Sequence, residues 1–422
     1  MLEALQRDAF GYFQHETNPA NGLVIDKTRE GWPASIAAVG LALAAYPVGV
    51  EHGFLTRDEA ARRTLTTLRF FSQSSQGPEP NTTGYKGFYY HFLQMKTGER
   101  AWKCELSTVD TALLLAGALT AAAYLDRNTP DEREIRALAE TLYARADWQW
   151  AQNGGATVTH GWTPEIGFIP YRWEGYDEAL ILYLLGLGSP THPLPAKSYS
   201  AWASTYQWKS IYDFDLLYAG PLFIHQLSHV WIDFRGIQDE FMRGCGIDYF
   251  ENSRRATYVQ QQYAIRNPLG FAHYGERCWG ITASDGPGNV TCRIDGIERQ
   301  FYDYLARGVP YGPDDGTLAP WAVVASLPFA PEIVLPTIDH FCQFRLHEVH
   351  PYGFKATFNP TFPDKSGNAY GWVSPWHYGL NQGPIIIMIE NYCSGLVWQL
   401  MRQCPYIVTG LRRAGFTNGW LS

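Results

Sequence analysis

The chain has 422 residues, with 33 Lys plus Arg against 41 Asp plus Glu, and a formal net charge of −8. Hydrophobic residues make up 46%, enough for a sizeable core, which excludes general disorder. Charged residues are only 18%, with no basic footprint for nucleic acid and no polybasic segment for an anionic membrane.

Apolar periodicity predicts helices in chain order, beginning with Leu2–Glu16. That start is amphipathic and lacks an apolar signal core. The expected location is therefore cytoplasmic as the sequence stands, or periplasmic or secreted if a signal has been removed. Ala34–Ala45 and Thr108–Tyr124 lie in apolar runs too short to span a membrane, so no membrane insertion is expected and both read as buried helices. Arg57–Ser72 follows the cap signal Thr56-Arg57-Asp58-Glu59. A β-rich insertion is expected at Gly84–Leu106, where Tyr85, Phe88, Tyr89, Tyr90 and Phe92 precede a Lys96-Thr97-Gly98 turn. Ser107-Thr108-Val109-Asp110 resembles a shortened capping box, and Thr129-Pro130 opens a helix over Asp131–Ala146. Further helices are predicted at Tyr176–Leu187, Leu216–Trp231, Gln238–Ile265, Gly316–Leu327, Glu332–Leu346 and Gly383–Arg402. The reading is an all-α single domain over residues 1–422 with a small β-rich insertion. Bundle, solenoid and closed toroid all remain open to such a set of helices. The long loops at 148–175, 188–215 and 266–315 are where function is expected.

Seven Cys, an odd number without any C-x-x-C, argue against a disulfide framework and fit a reducing compartment. No phosphate-binding glycine loop, dinucleotide fingerprint or serine-hydrolase elbow occurs, so no nucleotide cofactor is expected. His347-Glu348-Val349-His350 has the wrong spacing for a zincin. His225 and His229 stand four residues apart on a predicted helix, and they read as hydrogen-bonding residues near its end rather than metal ligands.

Four constellations can carry chemistry. In the first, Glu105 and Asp110 flank a helix start, which favours an ionised carboxylate as base or nucleophile; alternatively Asp110 only completes the cap and Glu105 only pairs with an Arg. In the second, Tyr171-Arg172-Trp173-Glu174-Gly175-Tyr176-Asp177-Glu178 sets acids among rings at the mouth of an apolar stretch. A carboxyl group there is desolvated, which raises its pKa and suits a general acid. The third runs from His229 through Trp231 and Arg235 to Asp248 and Arg254, with forked donors and ring faces suited to sugar hydroxyls, or equally to an internal salt-bridge network. The fourth, Trp279 to Gly288, is a loop in which glycines permit close approach and Asp285 accepts hydrogen bonds. Aromatics at 15%, several carboxylates and no nucleotide loop point to glycoside hydrolysis, which needs two carboxyl groups and ring-binding faces.

Several longer motifs are more specific. Gly87-Phe88-Tyr89-Tyr90-His91-Phe92-Leu93, Glu105 to Ala112, Gly220-Pro221-Leu222-Phe223-Ile224-His225-Gln226, Asp248 to Ser253, Thr282 to Pro287, and Gly379-Leu380-Asn381-Gln382-Gly383-Pro384 leading to Ile389-Glu390-Asn391 occur in order. From about Phe10 to Trp398 the chain resembles the glycoamylase-like domain family, which corresponds to glycoside hydrolase family 144 and its β-1,2-glucan-active relatives. The resemblance implies an (α/α)6 toroid and a cleft for an oligo- or polysaccharide β-glucan, with no cofactor and no metal. It points to the acids of Glu105–Asp110 and Trp173–Glu178 as the catalytic region. On this reading Glu178 protonates the leaving oxygen, and Glu105 or Asp110 activates water or attacks the anomeric carbon. Trp173, Tyr176, Trp231 and Trp279 are expected as stacking faces, and Arg172, His229, Arg235 and Asp285 as hydroxyl-orienting groups. Rival expectations are a β-1,2-glucan transglycosylase of the same fold, a sugar epimerase or isomerase using His225 and His229, and a non-catalytic glucan-binding protein. The sequence is silent on oligomeric state.

Overall fold

The computed structural model describes residues 1–344, 346, 351–363 and 370–422; the His347–His350 motif lies outside these. The architecture is mostly helical with small antiparallel sheets. The helices Ile36–Glu51, Thr108–Tyr124 and Gly379–Cys393 are apolar around most of their circumference and accordingly buried. The first packs between the other two. Gly40 and Gly117 face each other at the first of these contacts, where a Cβ on Gly40 would overlap the Leu113 carbonyl and one on Gly117 the Gly40 carbonyl. Only two bare backbones fit there.

The neighbour relations continue outward from this trio. Thr108–Tyr124 touches Leu180–Gly188, whose Ile181 N–H donates to Ser228 Oγ at 3.1 Å in the turn Leu227–Val230. From there Gln226 Nε2 donates to the Ala322 carbonyl at 2.6 Å and to Ser326 Oγ at 2.7 Å. The helix Pro320–Ala325 packs in turn on Gly379–Cys393. Amphipathic helices lie outside: Arg57–Gln73 against Pro130–Arg145, Leu2–His15 against Gly379–Cys393, and Pro405–Arg413 against Leu180–Gly188. The outer pair is tied by Arg57, which donates to both Glu132 oxygens at 2.8 and 2.9 Å. Among the described residues no helix is long and apolar enough to cross a membrane.

The caps predicted from sequence form as hydrogen bonds. Thr56 Oγ1 accepts from Glu59 N–H and Thr129 Oγ1 from Glu132 N–H, both at 3.2 Å. Strands occur in the expected 84–106 region, but their sheet reaches further. Gly84–Tyr85, Phe88–Tyr90, Leu106–Ser107, Gly161–Thr163 and Gly167–Phe168 form one antiparallel sheet in that order.

Several predicted helices differ; Gly316–Leu327, for one, is helical only over Pro320–Ala325, and Ala34–Ala45 runs on to Glu51. Leu216–Trp231 is a hairpin strand, Phe214–Leu217, followed by two short 3-10 turns at Leu222–His225 and Leu227–Val230, because Gly220-Pro221 interrupts the helical hydrogen bonding. Gln238–Ile265 divides at Gly246, whose φ of 73° ends one helix before Asp248 caps the next with a 2.7 Å bond from Glu251 N–H. Gly383–Arg402 divides in the same way at Gly395, φ 72°. Tyr176–Leu187 starts only at Leu180, leaving Glu178 in the preceding turn.

Candidate active site

Segments distant in sequence converge on a cavity of about 210 Å³. Asp110 and Leu113 reach it from the first turns of Thr108–Tyr124, Asn381 from the first turn of Gly379–Cys393, and Glu178 from just before Leu180–Gly188. Phe223, Leu227 and Trp321 add apolar wall, while His91, Asp285, Tyr304 and Tyr378 add polar groups.

Asp110 is fixed by the cap of its own helix. Ser107 ends a strand paired with Tyr89 on one side and Gly161 on the other. Its hydroxyl accepts the Asp110 N–H at 3.2 Å and donates to Asp110 Oδ2 at 2.5 Å. The same pairing register brings His91 alongside Glu105, since the His91 N–H donates to the Glu105 carbonyl at 2.9 Å. The His91 ring then lies between two carboxylates, with Nδ1 2.9 Å from Glu105 Oε1 and Nε2 3.6 Å from Asp110 Oδ2. Burial alone lowers an imidazole pKa, but the negative charges of Asp110, Glu105 and Asp26 outweigh it and raise His91 to about 9. Glu105 is drawn below the usual carboxylate range, because the bond and charge of His91 overcome the opposing effect of its burial. Glu105 therefore serves His91 and is not among the residues lining the cavity.

Glu178 occupies different surroundings. Its neighbour Asp177 is turned inward, accepting the Ala179 N–H at 2.9 Å and Trp202 Nε1–H at 3.1 Å, which locks the turn. Glu178 is thereby presented to the cavity beside Phe223, Leu227 and Trp321. Burial, then the charges of Asp177 and Asp110, raise it to about 8, so its carboxyl holds a proton at neutral pH. Asp285, also on the wall, accepts from Ser374 Oγ at 2.8 Å and Thr357 Oγ1 at 3.0 Å. Burial raises its pKa, against the pull of those two hydroxyls.

Of the residues singled out from sequence, Glu178, Asp110 and Asp285 line one cavity and Glu105 stands one side chain behind. The remaining seven lie elsewhere. Trp231 and Trp279 are wholly enclosed, Trp279 Nε1 donating to Thr337 Oγ1 at 2.9 Å, so neither offers a ring face to a ligand. His229 is a core residue, 3.0 Å from Ser253 Oγ, and His225 is buried 3.2 Å from the Ala219 carbonyl. Burial lowers them to about 3 and about 4, leaving both neutral and removing the basis for an isomerase built on them. Arg235 forms a two-pronged pair with Asp233 at 2.7 and 2.8 Å. Arg172 clamps the Gln152 and Thr157 carbonyls at 2.9 and 2.6 Å. Tyr176 packs edge-on to His225 at 5.1 Å. Trp173, stacked on His160 at 3.9 Å, donates to Thr108 Oγ1 at 3.0 Å and so braces the helix start that holds Asp110.

His91, Tyr304, Tyr378, Asn381, Phe223, Leu227 and Trp321 were not singled out individually. His91, Phe223 and Asn381 do fall inside motifs that carried the family resemblance, which was the available signal.

A family model, Glycoamylase, described as "Putative glucoamylase", matches residues 170–405, more than half of the chain. The chain belongs to the Glycoamylase family. Among solved structures, a Bacteroides uniformis protein named as a "putative glucoamylase" is 32% identical, with a TM-score of 0.87 over 100% of this chain and 98% of that one. The endo-β-1,2-glucanase of Chitinophaga pinensis, solved with sophorotriose and glucose, is 25% identical, with a TM-score of 0.87 over 100% and 98% of the two chains. A curated relative, the exo β-1,2-glucooligosaccharide sophorohydrolase (non-reducing end) of Parabacteroides distasonis, is 27% identical across 98% of this chain. This Glycoamylase chain spans 57% of that relative's length.

Proposed function

We propose that this Glycoamylase-family chain is a glycoside hydrolase cleaving β-1,2-glucosidic bonds in glucan or sophorooligosaccharides. The observation that carries the reading is the pair of carboxyl groups on one cavity wall, one of them protonated at neutral pH. Hydrolysis requires a proton donor to the leaving oxygen and a second carboxylate for water or the anomeric carbon. Glu178, raised to about 8, is the donor. Asp110, beside a cationic His91 and held by Ser107, is the base or nucleophile. Asp285, Asn381, Tyr304 and Tyr378 supply partners for sugar hydroxyls. The relatives acting on β-1,2-glucooligosaccharides and β-1,2-glucan support the linkage.

The helix contacts support a closed double ring. The inner set runs from Ile36–Glu51 through Thr108–Tyr124, Leu180–Gly188, the 222–230 turns, Pro320–Ala325 and Gly379–Cys393, which packs back on the first. On that reading the whole chain is one catalytic domain with the cavity at the N-terminal ends of the inner helices.

The test is incubation with β-1,2-, β-1,3-, β-1,4- and α-linked glucans, with products followed by NMR. Shortened β-1,2-linked products, with their first-formed anomer, are expected. Products longer than the substrate would instead indicate glycosyl transfer, and binding without turnover a non-catalytic role.

A further inference from the structure

Outside the cavity, Trp102 presents an exposed ring (55%) on a turn in which both Trp102 and Lys103 adopt left-handed backbone angles, φ 53° and 54°. Such angles are costly for residues of this size and persist only where surroundings enforce them. Arg100 enforces them here. Its side chain is 2% exposed, and its guanidinium donates to the Lys103 and Cys104 carbonyls at 2.5 Å each and is paired with Glu165 at 2.8 Å. A buried arginine thus pins a strained turn whose outcome is a large apolar ring in water.

Two chains of contacts join this ring to the cavity. Trp102 packs on Phe92 at 5.3 Å, and Phe92 stacks on the cavity residue His91 at 4.0 Å. Trp102 also meets Trp32 edge-on at 4.6 Å, and Lys27 lies over Trp32 at 4.3 Å while donating to the cavity residue Tyr378 at 3.0 Å. Arg29 lies over Trp32 at 4.7 Å. Lys27 and Arg29 lie over Trp32, so Trp102 is the exposed ring of the pair. A flat, exposed aromatic face fits the apolar face of a glucosyl ring.

We propose that Trp102 is a second carbohydrate-binding subsite, stacking a glucosyl residue of the same substrate chain that occupies the cavity, so that chains longer than a disaccharide are preferred. The proposal rests on the β-1,2-glucan reading above. The test compares kcat/KM of wild type, Trp102→Ala and Trp102→Phe on β-1,2-glucooligosaccharides from the disaccharide to the hexasaccharide, after thermal melts establish folding. For Trp102→Ala a loss that grows with chain length, reaching about fivefold to tenfold, is expected, with most of it restored by Trp102→Phe. No loss, or the same loss at every length, overturns the subsite. If the wild type cleaves none of these sugars, the substrate reading fails separately. Titration calorimetry with the same oligosaccharides then decides the subsite: weaker binding by Trp102→Ala supports it, and equal binding or none by the wild type overturns it.

Discussion

Asp110 and Glu178 reach the same cavity from opposite kinds of ground. Asp110 stands in a polar niche built by local sequence: a serine cap, a strand edge and an imidazolium that Glu105 holds in place. Glu178 stands in an apolar niche built by distant elements, with Asp177 adding negative charge. The same functional group is thereby set in two contrasting environments. The division of labour lies in what surrounds each carboxyl group rather than in the carboxyl groups themselves.

The strongest challenge to this division is to neutralise each side separately. Glu178→Gln and Asp110→Asn should each lower kcat on β-1,2-glucooligosaccharides by roughly 10³-fold, and retention of wild-type turnover by a folded variant would refute the assignment for that residue. Removing the imidazolium is milder. His91→Gln should cost about 10- to 100-fold in kcat, since the imidazole that stands 3.6 Å from Asp110 is lost. Wild-type turnover by the folded variant would mean that His91 only fills space.

The wild-type pH profile comes next. Because Glu178 ionises at about 8, kcat/KM should fall above that pH by about tenfold per unit. The smallest effect is on stability. Glu178 titrates higher in the folded than in the unfolded chain, so the folded state binds the extra proton between about 4.5 and about 8 and the contribution of Glu178 to stability declines with rising pH across that window. Glu178→Gln escapes the decline. Its melting temperature relative to wild type should rise by a few degrees from pH 5 to pH 8, and a constant difference would contradict the desolvated state of Glu178.

Legibility in the sequence followed how close along the chain the decisive neighbours stand. The cap at Ser107 and the helix Thr108–Tyr124 are encoded within a few residues, and sequence reading recovered them with both boundaries. Glu178 was legible because rings crowd it in sequence as well as in space. His91 was not, because its role exists only through the pairing of Tyr90 with Leu106, which brings residue 91 to residue 105. Trp231 and Trp279 misled for a related reason. A tryptophan looks the same in sequence whether it fills a core or lines a cleft, and the exposed ring at Trp102 was overlooked in their favour. The glycines at 246 and 395 were read as helix interior, although their left-handed angles end helices.

The bare contact between Gly40 and Gly117 has a consequence beyond packing. Gly117 lies two turns along the helix from Asp110, about 10 Å away by helical rise. Its partner helix begins where Ile36 N–H meets the His91 carbonyl at 3.2 Å. Asp110 thus stands on one shaft and His91 is hydrogen-bonded to the start of the other, and naked peptide groups set the spacing between the two. A single methyl inserted far from any sugar would pry those shafts apart and pull the imidazole off its carboxylate.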